Sequence, residues 1–367
     1  YTLVKKAIGI LRSYGADAHI YLPGVGTVNG ITAGNYLDSA GTTAATVDNP
    51  VGLSLDALQA MTLGSELLSG NWQNGYTTSF DTFTSTSPTS FSGTNASTES
   101  VRVKAPASFV AGTTYQVTLA GSLTNATITS SWVSDSVYGG VQDIGLTSIG
   151  QQVIFKAAST ADSLMIIFAA SSGAAVNAQV SVREIPGIHA SQATTANKPI
   201  LRQSGGKYSW QFDGSNDSLL SGNLGITTAC TIVMSLRVNN LAATQIILAE
   251  DTNGVQISIA TDGSVSLTKV GGAALVTTAA GVVVAGVPLV LTARLSAGNA
   301  DIRKGGAQSA TAASALTFSA VTGARVGTAF NGTTSPTNGA IGWVVPIAAA
   351  LSDADCLTVE RLVGSQF

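Results

Sequence analysis

The sequence predicts an all-β protein: two tandem antiparallel β-sandwiches of the jelly-roll type, with a short N-terminal attachment segment and one short C-terminal helix. Three observations predict it. Apolar and polar residues alternate with a period of two over many short runs, the spacing of half-buried strands. Asn253-Gly254, Asp262-Gly263 and Gly305-Gly306 lie between such runs, where tight hairpins need residues that tolerate positive φ. Only 10% of the 367 residues are charged, against about a quarter in an average domain, so small neutral residues must cover the surface.

A chain of 367 residues exceeds what one hydrophobic core usually organises. Residues 1–62 form a lead segment with Gly-rich turns at Leu22-Pro23-Gly24 and Asn29-Gly30, suited to attachment. Residues 63–186 form a first sandwich, in which Tyr115, Val117 and Leu119 face one way and Gln116, Thr118 and Ala120 the other. Within it, Phe80, Phe83 and Phe91 give a Ser/Thr-rich tract something to bury. Pro186-Gly187 and the polar run from Ser191 to Lys198 close this unit, and residues 187–367 form a second sandwich. There Ile232, Met234, Leu236 and Val238 alternate with Thr231, Val233, Ser235 and Arg237. Ser352 is placed to cap a terminal helix that carries Asp353 and Asp355 in its first turn and Cys356, Val359 and Leu362 on one face.

Several function classes are disfavoured. A net charge of −3 with scattered Lys and Arg leaves no footprint for nucleic acid. The uncharged stretch from Gly271 to Ala293 is interrupted by Gly and Pro and ends in strand alternation, so no membrane insertion is expected; the N-terminus lacks a signal-peptide h-region. Cys230 and Cys356 have no CxxC partner and read as buried free thiols. His19 and His189 stand alone on unrelated segments, too few for a metal site or a catalytic triad. The five Glu (Glu66, Glu99, Glu184, Glu250, Glu360) are dispersed, without the paired carboxylates a retaining glycosidase presents. The expectation is a protein without enzymatic activity and without cofactor. Asp213 and Asp217, in FDGSND, are weak candidates for calcium; the same residues suit a tight turn at Gly214, and the turn is preferred.

The order of short motifs carries a family resemblance. ATTANKPIL (Ala193 to Leu201), YSWQFDGSNDSLL (Tyr208 to Leu220), GARVGTAF (Gly323 to Phe330), NGAIGWVV (Asn338 to Val345) and the terminal LSDAD together resemble the concanavalin A-like lectin/glucanase superfamily in its laminin-G-like form. SELLSGNW (Ser65 to Trp72), AGTTYQV (Ala111 to Val117) and VSVREIP (Val180 to Pro186) resemble a carbohydrate-binding-module-like jelly roll. The joint from Val182 to His189, and YLDSAGTTAATVDNPVGLSL (Tyr36 to Leu55), look like segments of bacteriophage and prophage structural proteins. The resemblance implies a virion-surface fibre, adhesin or decoration protein, joined to other capsid or tail proteins through its N-terminal segment, homotrimeric by analogy, and meeting host-surface polysaccharide. A purely structural decoration or head-fibre role is the alternative it allows, with a polysaccharide-degrading enzyme third.

Sugar binding typically pairs an aromatic face with polar side chains that reach hydroxyls. Trp210 and Trp343 lie in apolar strand runs and read as core. Trp72 and Tyr76, in a Gly/Asn-rich loop, and Trp132 and Tyr138, beside the polar SDSV stretch, are the glycan-site candidates, although Trp72 and Trp132 also suit a sandwich core.

Overall fold

The computed structural model describes residues 2–24, 27–28, 31–32, 34–37, 43–61, 63–75, 79–134, 140–314, 317–318 and 321–365. Tyr76 and Tyr138 lie outside them. The N-terminal segment contributes helix α1 (Thr2–Ser13) and strands β1 (Asn35–Tyr36) and β2 (Leu53–Ser54). The first sandwich contains β3 (Gln73–Asn74), β4 (Thr82–Ser87), β5 (Ser90–Asn95), β6 (Glu99–Phe109), β7 (Thr114–Ser134), β8 (Gly140–Asp143), β9 (Gln152–Lys156) and β10 (Ala161–Glu184). The second contains β11 (Ala190–Ser191), β12 (Ile200–Ser204), β13 (Lys207–Asp213), β14 (Leu219–Gly222), β15 (Cys230–Val238), β16 (Gln245–Glu250), β17 (Val255–Ile259) and β18 (Val265–Lys269). It continues through β19 (Ala274–Thr277), β20 (Leu289–Ser296), β21 (Gly298–Lys304), β22 (Ala307–Ser314), β23 (Gly323–Val326) and β24 (Asn338–Ile347) to helix α2 (Asp353–Gly364). All sheet pairings are antiparallel, as the alternation requires.

The chain divides into two compact units, one of residues 40–42 and 62–186, the other of residues 1–39, 43–61 and 187–367. In the first unit β10 runs for 24 residues and β7 for 21, well beyond an ordinary strand. A straight strand of that length would be about 80 Å long. Both bend instead. The β7–β10 register slips between Ala170 and Ala175, and Gly121, Asn125 and Gly173 take positive φ around the bend. At Gly121 a Cβ would lie 2.0 Å from the Asn177 carbonyl oxygen, so only glycine permits the close approach of the strands. On one side of the bend β10 pairs with β6, on the other with β5, and the two halves fold face to face. Aromatic contacts join the halves: Phe168 meets Phe91 at 6.1 Å and Phe80 at 5.9 Å, and Phe109 meets Tyr115 at 5.0 Å. Phe80 and Phe91 are buried here, Phe91 on β5 and Phe80 in the segment just before β4.

In the second unit a nine-stranded sheet, in the order β19-β18-β17-β16-β23-β14-β11-β2-β1, packs on a seven-stranded sheet, β12-β13-β24-β15-β20-β21-β22. The core between them holds Trp210, Phe212, Met234, Leu236, Ile257 and Leu291. The stretch from Gly271 to Ala293 resolves into β19 and the start of β20, and among the described residues no helix is long and apolar enough to cross a membrane. Alternation in β15 leads one to expect a solvated outer face, yet Thr231, Val233 and Ser235 are fully buried. Two helices cover them. Ala7, Ile8 and Leu11 of α1 and Cys356, Val359 and Leu362 of α2 form a second core with Val233, Trp343 and Val345.

The lead segment is therefore not a separate attachment piece. Strands β1 and β2 extend the nine-stranded sheet through β11, and residues 18–21 pair with β24, where Tyr21 and Val344 exchange both backbone hydrogen bonds. Helix α1, not expected from the sequence, forms because Val4, Ala7, Ile8 and Leu11 fall on one face while Lys5, Lys6 and Arg12 face outward. Helix α2 begins as expected, with the Ser352 hydroxyl accepting the Asp355 amide at 3.2 Å. It lies on the outer face of β15 and β20 rather than at a sheet edge. Cys230 and Cys356 are buried and unpaired.

Candidate functional site

Of the four sequence candidates, the two tryptophans separate. Trp72 is 3% exposed, packs on Phe91 with ring centroids 4.7 Å apart, and donates its indole N–H to the Pro88 carbonyl at 2.8 Å. With its ring in the core and its polar atom satisfied, it offers no face to a sugar; the expectation of a platform there is corrected. Trp132 is placed differently. Its neighbour Val133 enters the core, so Trp132 projects from the outer face of the sheet and is half-buried.

Register assembles a site around it. Gln73 pairs with Lys104, Lys104 with Met165, Met165 with Trp132, and Trp132 with Asp143. Directly paired residues share a face, so these five side chains form one row across β3, β6, β10, β7 and β8. At ordinary strand spacing the row is roughly 19 Å long. The next row adds Arg102, Ile167 and Ser130. Met165 is 2% exposed and Lys104 8%, so the apolar body of the patch is already dry while Asp143 and Gln73 stand at its two ends. Asp143 is held by accepting the Gly145 amide at 2.8 Å. An indole with the Asp143 carboxylate beside it and the Ser130 hydroxyl in the next row can stack on a pyranose and bond its hydroxyls.

Asp213 and Asp217 form a turn. The Asp213 carboxylate accepts the Ser215 amide at 2.7 Å and the Asn216 amide at 3.4 Å, the Asp213 amide donates to Asp217 at 2.9 Å, and Gly214 has φ of 83°. Among the described residues no group of three or more His, Cys, Asp or Glu is arranged to hold a metal ion. Burial, reinforced by the Asp213 carboxylate and opposed by the Asp213 amide, pushes Asp217 up to about 7. Burial also pushes Glu250 up to about 7, against the hydrogen bond from the Val255 amide and with Asp251 adding to it.

These shifts carry a pH prediction. Unfolded carboxyls ionise around pH 4. Between that pH and about 7 the folded protein holds protons at Asp217 and Glu250 that the unfolded chain has released. The stabilisation is complete below pH 4 and is lost as pH rises through 7, nominally about 4 kcal/mol for each group and on the order of half that once solvent screening of these carboxyls is allowed for. Asp217→Asn with Glu250→Gln flattens that slope. Urea unfolding of the second unit at about pH 4.5, 6 and 8 measures it.

The two histidines, which look isolated in the sequence, meet at one aspartate, His19 at its carboxylate and His189 at its backbone amide. His19 Nδ1 lies 2.6 Å from Asp56 Oδ2, and the Asp56 amide donates to His189 Nδ1 at 2.9 Å. The Ile20 and Leu58 amides also donate to Asp56, at 3.1 and 3.2 Å. Tyr21 bonds the Ile188 carbonyl beside them. With both Nδ1 atoms engaged, the cluster ties residues 19–21, 56–58 and 188–189 together as a buried clasp. Residue spacing could not reveal it, because its members are 37 and 133 positions apart.

Fold and site together define an all-β protein of two sandwich units with an aromatic and polar patch on the outer face of one sheet. No protein-family model and no curated protein sequence matches the chain. Among solved structures it is similar to the CBM40 module of a Ruminococcus gnavus IT-sialidase bound to α2,3-sialyllactose, at 15% identity and a TM-score of 0.34, covering 41% of this chain and 96% of that one. It is also similar to Trypanosoma rangeli sialidase in complex with 2,3-difluorosialic acid, at 11% identity and a TM-score of 0.37, covering 48% of this chain and 30% of the sialidase. At these scores the likeness says nothing of what this chain binds.

Proposed function

We propose that the protein is a non-enzymatic surface component of a phage virion, whose first sandwich binds host-surface glycan weakly through the Trp132 face and gains avidity from many copies. The observation that carries the glycan reading is the single half-buried tryptophan on an outer sheet face, in register with Gln73, Lys104, Met165 and Asp143. Placement on a virion, assembly with other virion proteins and a homotrimeric state rest on the resemblance of Tyr36 to Leu55 and Val182 to His189 to phage structural segments. Since most of residues 1–62 are built into the second unit, contact with the virion would use a folded surface rather than a free tail. The non-enzymatic reading is supported by Glu250 and Glu360, whose carboxylates are buried in the fold at 0% and 3% exposure.

Glycan-array binding by the full chain tests the proposal. Trp132→Ala is expected to lower binding at least about tenfold, the effect of losing an aromatic stacking anchor, while urea unfolding of the first unit changes little. An array on which no host-surface glycan is bound would sink the glycan reading. Unchanged adsorption of particles lacking the protein, together with lost heat resistance, would favour a purely structural decoration role.

A further inference from the structure

The first unit has a second polar concavity. A groove of about 530 Å³ is lined by Glu66, Ser87, Ser90, Gln179, Ser181 and Arg183, with hydroxyls of Thr89 and Thr118 beside them. Register places it: Ser90 and Ala120 flank Gln179, and Thr118 pairs with Ser181, on the part of β10 beyond the bend. Val180 and Val182 point into the core there, so Gln179, Ser181 and Arg183 point outward. Trp132 and Met165 face outward from the opposite half. The unit therefore carries two candidate surfaces directed away from each other.

The groove is held before any ligand arrives. Glu66 Oε1 accepts the Leu67, Leu68 and Val182 amides at 3.2, 3.3 and 2.8 Å, and Glu66 Oε2 accepts the Ser181 hydroxyl at 2.6 Å. Arg183 Nε reaches Ser181 at 3.3 Å and Glu66 at 3.8 Å. Its two terminal nitrogens make no hydrogen bond among the described residues. The opposite wall is the turn between β4 and β5, where the Ser87 and Ser90 hydroxyls lie 2.7 Å apart. Trp72 fixes that turn from beneath, through its bond to Pro88 and its backbone amide on the Ser85 hydroxyl at 2.9 Å.

We propose that this groove is a second carbohydrate-binding site, one that takes an uncharged oligosaccharide. The lining offers five hydroxyls, one amide and a guanidinium fork, groups that match the donors and acceptors of sugar hydroxyls. Its one carboxylate and one guanidinium cancel, so the groove has no net attraction for an acidic sugar. Its size lies within the usual range for small-ligand sites, about 300–1,000 Å³. It lacks an aromatic floor, so orientation comes from hydrogen bonds, and Arg183 and Gln179 are the residues with unused donors. The inference rests on the reading that this unit meets glycan, and adds that one copy holds two chains.

The test uses the full chain and immobilised neutral trisaccharides of the cello, malto and galacto series, read by equilibrium binding. Arg183 and Gln179 are exposed, so Arg183→Ala and Gln179→Ala are expected to fold, with urea unfolding as the check. In a Trp132→Ala background the chain keeps residual binding, and either groove substitution lowers it about tenfold, the effect of losing a hydrogen bond to a charged or polar anchor. Arg183→Ala alone leaves the Trp132 site and its binding intact. If Trp132→Ala removes all binding and the groove variants change nothing, the groove inference is overturned and the glycan reading stands. If the chain binds only acidic glycans, through Trp132, the neutral groove is likewise overturned; if it binds none, both fall.

Discussion

Arg303→Met is expected to destabilise the second unit by about 3–5 kcal/mol, the cost of leaving a buried charge without its partner. Arg303 donates through Nε to Glu360 Oε1 at 2.9 Å and through a terminal nitrogen to the Gly306 carbonyl at 2.9 Å. The same Glu360 oxygen accepts the Thr292 hydroxyl at 2.8 Å and faces the Cys356 thiol at 3.3 Å. Both members of the ion pair are buried, Arg303 at 7% and Glu360 at 3% exposure. They join α2 to β20 and β21, with Arg294 alongside on Asp301 and Asp353. Removing Arg303 strands the carboxylate beneath the helix. The double variant Arg303→Met/Glu360→Leu, which removes both charges, is expected to recover most of the loss. Hydrogen exchange at the amides of β20 and β21 reads both variants, and equal losses in single and double variants would refute the account.

Trp72→Ala is expected to cost the first unit about 3–5 kcal/mol, as for other large aromatic side chains removed from a packed core. The indole contacts Phe91, which in turn contacts Phe83 and Phe168, so the cavity opens at the aromatic seam that closes the bent sheet on itself. It also releases the Pro88 carbonyl. Trp132→Ala, on the outer face, has no such cavity to open. Guanidinium unfolding of the two variants distinguishes core from surface tryptophan: a similar, small loss in both would contradict the placement of Trp72. The same comparison matters for function, because lost glycan binding in Trp72→Ala reports a displaced turn, not a lost sugar contact.

The site was only partly legible in the sequence. Trp132 was marked by its polar neighbours, but so was Trp72, and flanking residues cannot tell an indole beneath a hairpin from one above a sheet. Strand parity distinguishes them. At Trp132 the parity depends on a register slip between Ile167 and Phe168, which no local pattern announces. Gln73, Lys104 and Asp143 carry no signal in isolation, since they come together only through pairing of five strands. The groove residues Glu66 and Arg183 are 117 positions apart and look like ordinary surface charges. Their nearest sequence signal was the alternation of Gln179, Ser181 and Arg183 with Val180 and Val182. Helix α1 was not expected, because Gly9 interrupts the stripe of Val4, Ala7, Ile8 and Leu11 with a poor helix former.

By itself the sequence determined what depends on near neighbours: the β class, from alternation; the hairpin turns at Asn253, Gly263 and Gly305, from residues that tolerate positive φ; and the cap of α2 at Ser352. Only the tertiary structure decided that most of residues 1–61 belong with the second unit, that both faces of β15 are buried, and that His19, Asp56 and His189 meet. It alone also decided which tryptophan faces water. The physical reason is common to all of these: each is a contact between residues distant along the chain, set by strand register and by which surface another element covers, and neither is written in any local stretch.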